Sequence, residues 1–340
     1  MILSSLLKKC KIIDTNIDLN IEISSIEADS RNIIPNSVFV AIVGENRDGN
    51  NYINKALNQG AIAIITDVAP KEKSLPYVLV ENAREALAKM YSEYYGNPTR
   101  AMKIIAITGT NGKTSTAYCL YNILKKAKKS CGLISTIECM INDMVVDMGG
   151  GGDVCDIESA MTTPDPKKLY SLLYIMKEKG VEYVVLESSS HAIKQKKLEG
   201  IEKIEVGIFT NLSEEHLDYH KTMQDYFETK KKLIERSKNA IINIDNSYGK
   251  KMHTLTGAKS YSNSQNADFS LIIESINSYG SNLILKTNGN NIKISTNINS
   301  LFGVNNLGMA ISTAKMLNVD DKSIIEGAKN IIIKEENHRF

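Results

Sequence analysis

Neither sign of charge prevails in this sequence of 340 residues: 41 lysines and arginines face 39 aspartates and glutamates, a net charge of +2. That balance gives no reason to expect a nucleic acid or a membrane surface as partner. Cysteine is sparse too. Cys10, Cys119, Cys131, Cys139 and Cys155 are odd in number and scattered, with no C-x-x-C pair, which argues against a disulfide framework and against a zinc site. A reduced, cytoplasmic protein is the expectation. Long apolar runs are missing, and a stretch such as Tyr183–Leu186 is far too short to span a bilayer. The N-terminal MILSSLLKKCKII has no basic leader before its short apolar stretch and no small-residue cleavage site after it, so export is not expected. No internal repeat is visible. What is present is an ordinary globular composition, 42% hydrophobic and 24% charged, on a chain long enough for two or three domains.

Residues 1 to 98 carry short strand-like runs at Ser37–Val43, Ala61–Thr66 and Tyr77–Val80, with helical stretches at Tyr52–Gln59 and Ala83–Tyr94. The turn Gly96-Asn97-Pro98-Thr99 reads as a domain boundary. A second unit, 99–334, opens with a strand at Lys103–Ile107, a glycine loop and a helix from about Lys113 to Lys129. Buried-type strands at Tyr183–Leu186 and Val206–Thr210 follow, with helices at 166–179 and 222–237. Strands alternating with helices imply an α/β fold whose mostly parallel sheet is covered on both faces. Residues 268–298 alternate differently, around Tyr279-Gly280 and Asn288-Gly289, as a meander at the sheet edge would. Helices at roughly 305–317 and 321–331 complete the unit, and GGGGD at 149–153 reads as a loop.

The stretch ITGTNGKTST, Ile107 to Thr116, departs from the common phosphate loop G-x-x-x-x-G-K-[ST]. Ile107 stands where the first glycine belongs, and a nearer one, Gly109, precedes Gly112 by three residues. Its context is nevertheless that of a phosphate loop, between a buried strand and a helix N-terminus. Gly109, Thr110, Asn111, Gly112, Lys113, Thr114 and Ser115 would turn backbone N–H groups toward phosphate oxygens, where the helix end adds favourable partial charge. Lys113 would reach the β/γ-phosphates of ATP, and the Thr114 hydroxyl would ligate Mg²⁺. A glycine turn before a purely structural helix is the alternative. Glu187, ending the strand Tyr183–Leu186, lies where a Mg²⁺ ligand is needed; by itself it reads as a solvated strand-end glutamate. Glu214, Glu215, His216, Asp218 and His220 crowd one loop, equally readable as polar surface.

The shortened loop TGTNGKTS, with DSR at 29–31, GENRDG at 44–49, TTPDP at 162–166, ESSSHAIKQ at 187–195 and FTNLSEEHLDYHKTMQDYFETK at 209–230, resembles the ATP-dependent Mur ligase family in the family's own order. The NLS-x-x-HLDYH block points to the MurE-type branch. This resemblance, from about residue 20 onward, implies an N-terminal α/β domain (1–98) for the UDP end of a substrate and a central ATPase domain (99–334). It also implies a third, Rossmann-like domain, of which this chain would carry only the start of the hinge at 335–340.

The resemblance further implies residue roles. His216 would contact a second Mg²⁺, with Glu215 standing where the family has Asp. Tyr226 and Lys230 meet the pattern Y-x-x-x-K, which places a carbamylated lysine at Lys230. Lys113, Lys230 and His216 would be the catalytic set, and Thr114, Glu187, His216 and Lys230 the metal-binding set. Asn306, in FGVNN, would lie near the adenine. Ser30, Glu45, Asn46 and Arg47 would bind the UDP end, and Thr162, Thr163, Ser189, Gln195 and Lys197 the muramoyl dipeptide. Met161 replaces the usual Asn, and Lys197 stands for the family's Arg, which keeps the charge but loses a bidentate grip on carboxylate.

The implied activity joins a diamino acid, meso-diaminopimelate or L-lysine, to the D-Glu of UDP-MurNAc-L-Ala-D-Glu through an acyl phosphate, a step of peptidoglycan precursor synthesis. A separate chain could then supply the third domain. Two alternatives stay open: a non-catalytic binder of ATP or of the UDP precursor, and a family ligase acting on another carboxylate. Retention of Lys113, Thr114, Glu187, His216 and Lys230 argues against the first, and the DSR and TTPDP matches against the second.

Overall fold

A computed structural model describes residues 1–45, 47–146, 162–287 and 289–331. Asn46, the glycine run at 149–153, Cys155, Met161, Asn288 and the segment 335–340 therefore lie outside the described residues. The chain divides into two compact units, Met1–Pro98 with Asp165–Tyr174 and Gln195–Glu202, and Thr99–Pro164 with Ile175–Lys194 and Lys203–Phe340. The two short segments that join the first unit come from the stretch which the sequence reading gives to the second.

The first unit runs α1 (Leu3–Leu7), β1 (Ile12–Thr15), β2 (Ile26–Glu27), β3 (Ser37–Ala41), α2 (Ile53–Asn58), β4 (Ala61–Thr66), β5 (Tyr77–Val80) and α3 (Ala83–Tyr94). Its sheet has the order β1-β5-β4-β3-β2, parallel except where β1 pairs with β5. Phe39, Ile53, Ala56, Ile64 and Tyr77 fill one side of it. The inserted segments are tied down by polar contacts. The Ser92 hydroxyl donates to the Gly200 carbonyl at 2.8 Å, Lys196 pairs with Glu85 at 2.5 Å, and Lys167 pairs with buried Glu27 at 2.8 Å.

The second unit begins with β6 (Lys103–Thr108), α4 (Lys113–Lys126), β7 (Cys131–Ile134), β8 (Cys139–Ile141) and β9 (Met144–Val146). Then come α5 (Pro166–Glu178, of which 166–174 belongs to the first unit), β10 (Tyr183–Glu187), α6 (Ser190–Lys194), β11 (Ile204–Phe209), α7 (Leu217–His220) and α8 (Met223–Glu235). The chain continues through β12 (Ser237–Asn243), α9 (Ser247–Thr256), β13 (Lys259–Ser262), β14 (Phe269–Asn277), β15 (Gly280–Thr287), β16 (Asn291–Thr296), α10 (Leu301–Met316) and α11 (Asp321–Lys329). One sheet holds all eleven strands, in the order β16-β15-β14-β13-β12-β11-β6-β10-β7-β8-β9.

From β14 to β7 every pairing is parallel, and antiparallel hairpins finish both edges. The expected meander is thus the edge formed by β14, β15 and β16. The central strands are apolar end to end because both of their faces are covered: β6 buries all but Lys103, and β10 buries every residue. Ala117, Leu120, Ile123 and Leu124 of α4 share one core with Ile105 and Ile107 of β6 and with Leu307 and Ile311 of α10. Helix starts follow side-chain caps. Thr222 caps α8 through the Asp225 N–H, and Ser300 caps α10 through the Gly303 N–H, so α10 begins earlier than the sequence reading places it. Among the described residues, no helix is long and apolar enough to cross a membrane.

Candidate functional site

The C-terminal ends of β6, β10 and β11 face the same way because the three strands pair in parallel, and the loops that follow them converge. After β6 the chain turns through Gly109 and Gly112 into α4. Gly112 holds φ 82°, and a Cβ on it would stand 2.4 Å from Asn306 Oδ1. A Cβ on Gly109 would stand 1.9 Å from Thr210 Oγ1. Both glycines are therefore required by neighbours packed against the loop as well as by backbone angle.

The loop after β11 grips the phosphate loop. Asn211 Oδ1 accepts the Asn111 N–H at 3.0 Å. The Asn211 amide and the Thr210 hydroxyl donate to the Asn111 carbonyl at 3.0 and 2.7 Å. Thr110 N–H donates to the Asn211 carbonyl at 3.0 Å, and the Thr110 hydroxyl accepts the Ser213 N–H at 3.0 Å. Asn111 and Thr110 are thereby fixed from outside the loop, which leaves its shape settled before any ligand arrives.

Two lysines meet on one oxygen. Lys113 Nζ donates to the carbonyls of Gly109 at 3.1 Å and Thr110 at 2.7 Å, and Lys230 Nζ, from α8, donates to the same Gly109 carbonyl at 2.7 Å. Lys230 is 1% exposed. Burial is the main reason its pKa lies well below that of an ordinary lysine; the charge on Lys113 pushes the same way, and Glu215 opposes it.

Thr114 and Glu187 are likewise brought together, with the threonine hydroxyl donating to Glu187 Oε2 at 3.0 Å. Thr136, after β7, adds its N–H to Oε1 at 3.1 Å and its hydroxyl to Oε2 at 3.1 Å. Glu187 is fully buried. Desolvation raises its pKa, against the Thr136 N–H, the Lys113 charge and the two hydroxyls. Sequence reasoning assigned no role to Thr136, Thr210 or Asn211. Thr210 and Asn211 lie within the quoted FTNLS, whereas Thr136 acts partly through its backbone and carried no signal.

His216 has φ 57° just before α7 and is half-exposed, its ring 5.1 Å from that of His191 and 6.3 Å from that of Tyr226. Among the described residues, no group of three or more His, Cys, Asp or Glu side chains is placed to hold a metal ion. A cation here would need phosphate and water oxygens to complete its shell. The Thr114 hydroxyl and Glu187 carboxylate suit that arrangement, since Mg²⁺ takes one or two protein oxygens and keeps water or phosphate for the rest.

Other expected residues have local roles. Thr163 donates to the Glu187 carbonyl at 2.8 Å and accepts the Ser189 N–H at 3.1 Å. The Ser189 hydroxyl accepts the Ala192 N–H at 3.1 Å, as a helix cap does. Gln195 and Lys197 belong to the first unit, and the Lys197 carbonyl accepts from the Tyr170 hydroxyl at 3.2 Å. Also in the first unit, Asp29 caps the turn that holds buried Ser30. The Gly44 N–H donates to the Arg47 carbonyl at 2.8 Å. Among the described residues, no contact of the Ser115 or Thr162 side chain enters this arrangement.

Two family profiles match the chain, one described as "Mur ligase middle domain" over residues 107–314 and one as "Mur ligase family, catalytic domain" over residues 22–95. A protein of Caldanaerobacter subterraneus subsp. tengcongensis named "UDP-N-acetylmuramoyl-L-alanyl-D-glutamate--2,6-diaminopimelate ligase" is 37% identical, with 93% of this chain and 64% of that protein covered. A Clostridium perfringens protein of the same name is 36% identical, with 98% and 68% covered. The chain thus spans less than two thirds of the first of these relatives. A solved structure bearing that ligase name aligns with TM-score 0.79 at 22% identity, over 96% of this chain and 66% of the other. MurF ligase from Thermotoga maritima in complex with ADP aligns with TM-score 0.55 at 23% identity, over 88% and 65%.

Proposed function

The chain belongs to the Mur ligase family, and from that footing we propose that it carries the ATP site of a cytoplasmic ligase joining 2,6-diaminopimelate to the D-Glu of UDP-MurNAc-L-Ala-D-Glu, in peptidoglycan precursor synthesis. The observation that carries this reading is the convergence on one phosphate loop of Lys113, Thr114, Glu187 and Lys230. The names of the relatives favour diaminopimelate over lysine as the amine.

In the reaction, the D-Glu γ-carboxylate attacks the γ-phosphorus of ATP, giving an acyl phosphate and ADP. The amine then attacks the acyl carbon, forming the amide and releasing phosphate and a proton. The loop N–H groups and Lys113 bind and orient the phosphates. Lys113 leaves the Gly109 and Thr110 carbonyls to do so, trading two neutral acceptors for anionic ones. Thr114 and Glu187 would hold Mg²⁺, with His216 and Lys230 serving a second ion; such ions offset charge on the transferred phosphoryl group. Asn306, packed on Gly112, closes the loop on the side where the adenine would lie. In the first unit, Ser30, Glu45, Asn46 and Arg47 would take the UDP end. In the second, Thr162, Thr163 and Ser189 would take the dipeptide.

Lys230 is set up to be carbamylated. Only a neutral amine adds CO₂, losing a proton to give the carbamate, and burial beside Lys113 favours the neutral form. The buried anion so formed would suit a metal where an ammonium would repel it.

The test is ATP turnover by the purified chain with Mg²⁺ and UDP-MurNAc-L-Ala-D-Glu, offering diaminopimelate and lysine separately and following tripeptide by mass. Product with diaminopimelate, abolished by Lys113→Ala, supports the reading. Amide formed on a different carboxylate overturns the substrate assignment. ATP binding unaltered by Lys113→Ala overturns the site. Product appearing only when the remaining part of a relative is added as a second chain would place amine capture there.

A further inference from the structure

His220 is completely buried and has no part in the reaction described above. It ends α7, which His216 and Lys221 bracket in the left-handed region at φ 57° and 58°. Its Nδ1 lies 3.4 Å from Asp225 Oδ2, and Asp225 is anchored in turn by Lys194 at 2.6 Å. A carboxylate at Nδ1 keeps the proton on that nitrogen and makes Nε2 the acceptor. Nε2 has no hydrogen-bond partner among the described residues. Burial holds the imidazole pKa down at about 4, against the pull of Asp225, so the ring stays neutral. A phenylalanine would fill the same volume with no stranded nitrogen. Packing alone therefore does not account for a histidine here.

The imidazole stacks on Tyr226 with ring centroids 4.6 Å apart and planes at 28°. Lys230 Nζ lies 4.6 Å from the centroid of the same tyrosine ring, and the Tyr226 hydroxyl is 3.3 Å from Thr110 Oγ1 in the phosphate loop. We infer that His220 is a positioning residue for Lys230: tethered by Asp225, it fixes through Tyr226 the ring face on which the Lys230 amine rests, and so holds that amine on the Gly109 carbonyl. The chain of contacts runs Lys194, Asp225, His220, Tyr226, Lys230, and each link is a defined ion pair, hydrogen bond or ring contact. The inference rests on the reading of Lys230 as part of the ATP site.

The experiment measures acetylation of Lys230 by trace acetic anhydride at fixed pH in CO₂-free buffer, read by peptide mass spectrometry. Buried Lys197, in the other unit, serves as internal reference. A buried amine reacts only through local opening, so the rate reports how firmly it is held. His220→Phe keeps the ring and loses the tether; it is expected to raise Lys230 labelling about threefold while Lys197 stays unchanged. His220→Ala also loses the stack and is expected to raise it about tenfold. Lys230 labelling in His220→Phe equal to the unsubstituted protein would overturn the inference, leaving His220 as packing. A parallel rise at Lys197 would overturn it too, as general loosening. The underlying reading fails separately, if Lys230→Ala binds ATP as tightly as the unsubstituted protein; the labelling outcome is independent of that result.

Discussion

Replacing Glu187 with Gln separates what the buried carboxylate does for the fold from what it does for a ligand. Glutamine keeps the shape: its oxygen can accept the Thr136 N–H now bound at 3.1 Å, and its amide can donate to the Thr114 and Thr136 hydroxyls, which turn to accept. Three hydrogen bonds persist, each weakened because the acceptor is no longer charged; at about 0.5–1 kcal/mol apiece the loss is about 1.5–3 kcal/mol. Against this, the variant no longer buries an anion, whose desolvation costs several kcal/mol.

The raised pKa of Glu187 says which side wins. A folded-state pKa above the unfolded value means stability that is full at low pH and declines as pH rises through the folded pKa, so ionising this carboxylate burdens the fold. Glu187→Gln should therefore be more stable at pH 7 by about 1 kcal/mol, or about 2–4 °C in Tm, and the gain should vanish under acid. In the same preparation, Mg²⁺-dependent ATP affinity should fall at least about tenfold, with binding in EDTA changed little. Thermal unfolding across pH and calorimetric titration with and without Mg²⁺ provide both readings. A lower Tm at pH 7 together with unchanged Mg²⁺-dependent affinity would refute the reasoning on both counts.

Gly112→Ala places a methyl 2.4 Å from Asn306 Oδ1 at φ 82°, and should destabilise by about 2–3 kcal/mol in urea unfolding. Adding Asn306→Gly should relieve the clash, leaving about 1 kcal/mol of backbone strain at residue 112 and about 1 kcal/mol for a glycine inside α10. Lys230→Met removes a buried amine that is protonated once the chain unfolds, and leaves the Gly109 carbonyl satisfied by Lys113 at 3.1 Å. In CO₂-free buffer it should raise stability at pH 7 by about 1 kcal/mol or more while abolishing turnover. Its pH dependence follows from the depressed folded-state pKa of the lysine: the stability this group contributes is complete above the ordinary value of 10.5 and falls as pH descends from there toward the folded pKa. The advantage of Lys230→Met should accordingly shrink as pH rises toward 10.5, by up to about 1.4 kcal/mol per unit; an advantage constant up to that pH would contradict it.

The order of strand, glycine loop, lysine, hydroxyl and helix was legible because it is local, and local order is what a sequence displays. Glu187 followed from the same logic, as a carboxylate at the end of a strand already read as buried. Lys230 did not. Its sequence neighbours Lys231 and Lys232 are equally basic; the Y-x-x-x-K resemblance singles it out, and in the fold the pitch of α8 turns Lys230 inward with Tyr226, Phe227, Leu233 and Ile234. Strands β12 and β13 passed unseen because SKNAIIN follows a helical pattern without punctuation and KSYS has little apolar content. Their partners, not their composition, make them strands. The start of α10 was missed although Ser300 stands in a capping position, since LFG reads as a loop beside it. Thr136 and Asn211 were out of reach for a general reason: each meets the loop or its carboxylate through contacts between segments far apart in the chain.

The pairing of β6 between β10 and β11 bears on how the protein is made. β6 leaves the ribosome before either neighbour exists; Tyr183, opposite Lys103 in the β6–β10 pairing, follows it by 80 residues. At about 5–20 residues per second, that is roughly 4–16 s during which a strand buried along all but its first residue has no partner on either side. The nascent chain must either shelter β6 against α4, which is synthesised directly after it, or depend on a holding chaperone. Rare-codon or stalling changes between Lys126 and Tyr183 should therefore alter soluble yield far more than equivalent changes after Ser262.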